Sequence, residues 1–87
     1  MNTRYAVFVD SVVDGTVPAI REGDRPVVFA TEREAQREIA DNVLTRVQEF
    51  LDGERDFEDA LTVEEYVAEV RVLPDGSIVD ASGRSFR

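Results

Sequence analysis

Residues 31–52 read TEREAQREIADNVLTRVQEFLD, and this stretch decides the fold. Ala35, Ile39, Val43, Val47 and Phe50-Leu51 recur at helical spacing, and Leu44 widens the stripe. The opposite face carries Arg37, Glu38, Asp41 and Glu49. Thr31 with Glu34 three residues on has the form of a capping box, in which the hydroxyl and the carboxylate each satisfy an otherwise orphaned amide. Gly53 sits where a helix ends in the left-handed conformation. The pattern predicts one helix over 31–52. Such a helix is long for a chain of 87 residues. It is expected to lie across a sheet and to supply half of the core.

Strand signals flank it. Tyr5-Ala6-Val7-Phe8-Val9 is an apolar, aromatic and β-branched run that reads as a central strand buried on both faces. Asp14-Gly15 is a turn signal, so 17–20 is expected to return as a second strand, which Pro18 confines to an edge or breaks. Pro26 to Ala30 reads as another short strand. Residues 54–61 are acidic and irregular, with Phe57, Ala60 and Leu61 spaced for one helical turn pinned to the core. From Tyr66 the period becomes two. Tyr66, Ala68, Val70 and Val72 share one face, and Val67, Glu69, Arg71 and Leu73 the other. Pro74-Asp75-Gly76 is a turn returning through Ser77 to Asp80. Residues 81–87 read as a loose tail in which Phe86 alone can dock. The order is β-β-α-β-β: an α+β fold with a mostly antiparallel sheet and the helix on one face, all in a single domain spanning 1–87.

Composition removes more chemistry than it suggests. Nineteen acidic residues face ten arginines, and there is no histidine, cysteine or lysine. The commonest general base and metal ligand is therefore missing, as are the thiol nucleophile and the Schiff-base amine. Ser11, Ser77, Ser82 and Ser85 have no histidine to activate them. Isolated glycines make no phosphate-cradling loop. Carboxylate pairs are too easily assembled from nineteen acids to be informative. Asp52, Glu54, Asp56 and Glu58 alternate, but Gly53 stands at the wrong place for a calcium loop. No catalytic residue, metal or cofactor is expected. The start of the chain lacks the features of a signal peptide, and no run approaches a membrane span, so a cytoplasmic protein is expected.

A net charge of −9 disfavours nucleic acid and anionic membranes, and suits a basic protein surface. The densest acidity lies in Asp52, Glu54, Asp56, Glu58, Asp59, Glu64 and Glu65: seven acids in fourteen residues against Arg55 alone. Mutual repulsion there costs stability. The stretch reads either as a recognition edge for an arginine- or lysine-rich partner or as a solvated connection. Tyr5, Phe8, Phe29 and Tyr66 read as core. Val67 and Leu73 would form a patch suited to self-association if the helix covered only the other sheet face.

The run Val28-Phe29-Ala30-Thr31-Glu32-Arg33-Glu34-Ala35, the long acidic helix, Glu65-Tyr66-Val67 and Pro74-Asp75-Gly76 together resemble small acidic proteins of phages and other mobile elements, a group that includes anti-CRISPR proteins. The resemblance spans roughly 26–80 and is one of size, acidity and element order. It implies a stoichiometric inhibitor of a Cas protein or complex that places acids where nucleic acid would go. It implies contacts from the Asp52–Glu65 edge and from Glu38, Asp41 and Glu49 on the helix. The alternative expectation is a non-inhibitory accessory protein of a phage or bacterium, homodimeric through an open sheet face.

Overall fold

The computed structural model describes residues 3–87. Strand β1 (Thr3–Ser11) is the spine of the molecule. It pairs on one side with β2 (Gly15–Pro18) and on the other with β5 (Tyr66–Val72), which continues into β6 (Ile78–Asp80) and β7 (Ser85–Phe86). The sheet order is β2-β1-β5-β6-β7, antiparallel throughout. A two-residue hairpin, β3 (Arg21–Glu22) with β4 (Arg25–Pro26), precedes the long helix α1 (Glu32–Leu51). A short helix α2 (Phe57–Leu61) links α1 to β5. The fold is α+β as the sequence indicates, with the β3–β4 hairpin before the helix and β7 at the end of the sheet added to the expected β-β-α-β-β order.

The local reasons are legible. Pro18 closes β2 on the sheet edge, where no ladder needs its missing N–H. The second strand therefore spans 15–18 and stops at the proline, two residues short of the expected end. The expected strand over 26–30 does not form. Pro26 ends β4 instead, and beyond it Phe29 alone makes a bridge, exchanging both backbone hydrogen bonds with Tyr5 at 2.9 and 2.7 Å. Thr31 Oγ1 accepts the Glu34 amide at 3.1 Å and caps α1; the reciprocal glutamate bond is not made among the described residues. At the other end the Gly53 amide reaches the Phe50 carbonyl and the Glu54 amide reaches Glu49, a Schellman closure with Gly53 at φ +81°.

The core differs from expectation. Ala6, Phe8, Val70, Ile78 and Phe86 form one buried cluster, with Val28 and Ala68 packed against it. The Phe8 and Phe86 rings lie 5.0 Å apart. By the pleat, Val7 points to the opposite face, and it too is buried. Helix α1 packs on β1 and β5 without joining the Phe8 cluster, so it covers the Val7 and Val67 face. Val67 and Leu73 are accordingly half-buried, and the patch expected from them is not there. On the Phe8 face, Val28 packs against the cluster and Phe86 of β7 joins it. The segment 81–87 is thus not a loose tail: β7 pairs with β6, and Phe86 belongs to the core.

Nor does α1 supply half of the core. Only Ala35 is fully buried, and Ile39, Val43 and Val47 are half-buried. The C-terminal part of α1 is the least covered: Leu44 and Leu51 are exposed, and Phe50 packs on Phe57 of α2. This end of α1 stands clear of the sheet's cover and carries α2 against it. The molecule is elongated, 45 × 28 × 23 Å, with a radius of gyration of 14.2 Å. A compact chain of this length would give about 12 Å.

Candidate functional site: the acidic helical end

Charge is segregated along the chain. Residues 31–65 hold twelve of the nineteen acids and four of the ten arginines, so eight of the nine net negative charges reside in the helical segment. The sheet and hairpin are close to neutral. Summed over the whole chain, the charge hides this division.

The ten acids expected to form one surface fall into two groups. Glu38 and Asp41 line an open depression of about 220 Å³ with Glu34, Arg37 and Phe29, near the start of α1. Asp41 precedes Asp52 by eleven residues, or about 16 Å along the helix axis, so these two acids do not join the edge. The remaining eight gather where α1 ends, around α2 and the lead into β5.

Within that group, some acids are held by the protein itself. Arg55 bridges α1 to α2, 2.9 Å from Glu49 and 2.7 Å from Asp59. Hydrogen bonding to Glu49 is the leading reason the guanidinium titrates above its ordinary value; burial opposes it, and hydrogen bonding to Asp59 adds to it. Arg46 bonds the Glu65 carboxylate at 3.2 Å and the Thr62 carbonyl at 3.3 Å. Burial pushes the Glu65 carboxyl up. Bonds from Arg46 and from the amides of Glu65 and Glu64, with the Arg46 charge, outweigh it and hold the carboxyl below its usual range. Asp52 accepts from Gln48 at 3.0 Å. The solvated-connection reading accounts for these four acids.

It does not account for Glu54, Asp56, Glu58 and Glu64. Among the described residues these make no ion pair. Asp56 precedes α2 in the capping position yet makes no side-chain capping bond. Glu54, Asp56 and Asp59 line an open depression of about 420 Å³ with Gly53 and Arg55. Glu64 and Glu65 line a neighbouring one of about 370 Å³ with Arg46, Arg55, Asp59 and Thr62. The last turn of α1 has no basic residue, so the negative end of its dipole adds to the same field.

The same end is also apolar. Among the described residues, six of the ten large apolar side chains exposed to solvent lie between Leu44 and Val63. Phe50 and Phe57 meet edge to face at 5.3 Å. Phe57 and Leu61, expected to pin this segment, are exposed; Ala60 alone is buried. Sequence reasoning missed this surface because helical periodicity assigns every apolar residue of the stripe to the core. No group of three or more acids among the described residues is placed to hold a metal ion, and no described helix is long and apolar enough to cross a membrane.

The chain matches no protein-family model, no curated protein and no solved structure.

Proposed function

We propose that this is a small acidic binding protein whose α1–α2 end occupies a basic surface on a larger protein. The observation that supports this is the set of unpaired acids, Glu54, Asp56, Glu58 and Glu64, at the negative pole of the helix. Their mutual repulsion costs stability. A cationic partner relieves it and gains association rate by electrostatic attraction. The narrower form follows the resemblance: a stoichiometric inhibitor of the anti-CRISPR kind, acting in the cytoplasm on the nucleic-acid-binding surface of a Cas protein. Glu38 and Asp41 stand apart from this end and have a secondary part at most.

The test is capture by wild type and by a Glu54→Arg, Asp56→Arg, Glu58→Arg variant, with Glu32→Arg at the far end of α1 as control. Asp59 is left unchanged because it holds Arg55. Wild type and control retain a basic partner that added salt and competing nucleic acid release, and the triple variant does not. Equal capture by the triple variant contradicts the proposal.

A further inference from the structure

The acidic end carries an apolar surface that charge alone does not explain. Leu61 lies one turn beyond Phe57 on α2, Phe57 meets Phe50, and Leu51 beside it is 68% exposed. Leu44, two turns before Leu51, is 66% exposed along the same flank. Contiguous apolar surface on a small protein marks an interaction site. Here the sheet does not cover it.

The chemistry of the rim decides what covers it instead. Glu54, Asp56 and Glu58 border the Phe50–Phe57 contact in sequence and make no ion pair among the described residues. A second copy of this chain would bring eight net negative charges against eight more. An anionic membrane is repelled for the same reason. The complement is a segment that presents apolar side chains at helical spacing with arginine or lysine beside them.

We infer that the α1–α2 end docks a basic amphipathic helix of a partner protein, its apolar face on Phe50, Leu51, Phe57 and Leu61 and its cations against Glu54, Asp56 and Glu58. This rests on the reading of the acidic end as a protein-binding surface and adds to it an apolar anchor.

The probes are two synthetic peptides of leucine and lysine with identical composition and charge. One is patterned as an amphipathic helix; the other is scrambled so that no apolar face forms. Affinity is read by fluorescence anisotropy at low and raised salt, with folding checked by circular dichroism. Wild type prefers the patterned peptide by roughly tenfold or more, about 1.4 kcal/mol. The Leu51→Ser, Phe57→Ser variant loses that preference but keeps salt-sensitive binding of both peptides. Val72→Ser, at the far end of β5, keeps the preference. Equal affinity of wild type for the two peptides overturns the apolar anchor and leaves the acidic edge standing. No binding of either peptide at low salt overturns both. A preference that survives in the double serine variant, or a wild-type dimer that the variant abolishes, also overturns the inference.

Discussion

Arg46 on α1 and Glu65 at the foot of β5 meet at 3.2 Å, with both side chains largely withdrawn from water. The C-terminal half of the helix is tied back to the sheet there, since Arg46 also reaches the Thr62 carbonyl. Arg46→Ala leaves the Glu65 carboxylate half-buried without its partner and is expected to cost on the order of 2 kcal/mol, read from urea unfolding. Replacing both residues with methionine costs less, because no uncompensated charge remains.

Two turns at the ends of β6 carry a pH dependence. Asp75 accepts from the hydroxyl and amide of Ser77 at 2.6 and 2.9 Å; Asp80 accepts from those of Ser82 at 2.6 and 3.0 Å and from the Arg84 amide. The Ser77 hydroxyl and the Ser82 hydroxyl are the leading causes that hold these carboxyls below the usual range. A carboxyl depressed on folding contributes stability above its unfolded value, about 4, and the contribution is lost as pH falls through the folded value. The stability difference between wild type and Asp80→Asn is therefore largest near neutral pH and fades in acid, below about pH 4. Thermal midpoints across that range check it.

The ends of α1 are fixed by two residues of different kinds. Thr31→Ala removes the acceptor for the Glu34 amide and is expected to cost about 1 kcal/mol. Gly53 has φ +81°, and nothing lies within 4 Å of where a Cβ would stand. The cost of Gly53→Ala is thus backbone strain alone, about 1 kcal/mol. Chemical denaturation measures both.

Core and exposed helix end respond oppositely to truncation. Phe8→Ala empties the center of the cluster shared with Ile78 and Phe86 and is expected to cost about 3–5 kcal/mol. Leu51→Ser changes stability by less than about 0.5 kcal/mol because the side chain is already in water. A large loss for Leu51→Ser would mean that α1 is packed more deeply than its exposure indicates.

Much of this was legible in the sequence, for physical reasons. The capping threonine, the terminal glycine and the stripe from Ala35 placed α1, because caps and periodicity are local signals. Alternation from Tyr66 placed β5. What escaped was relational. Ser85-Phe86 became a strand because Ile78 offered it a partner and Phe8 offered a ring to pack on. Val67 was assigned to an open face because periodicity gives two faces but not the one a helix will choose. The apolar patch was hidden for the same reason: nothing local distinguishes Leu44 and Leu51 from Ile39 and Val43, and only the packing of α1 on β1 and β5 decides which of them the sheet covers. The acidic edge was visible as composition, while its division between acids held by Arg46 or Arg55 and acids left free required the fold.

Partners are expected to meet the helical end and not the near-neutral sheet. Backbone amide chemical shifts of isotopically labelled protein, followed as the patterned leucine–lysine peptide is added, test it most directly. Perturbations are expected to concentrate between residues 44 and 65, with β6 and β7 unchanged. Perturbations centered on the Arg21–Pro26 hairpin and the Ser85–Arg87 end, or spread evenly over the chain, would contradict it.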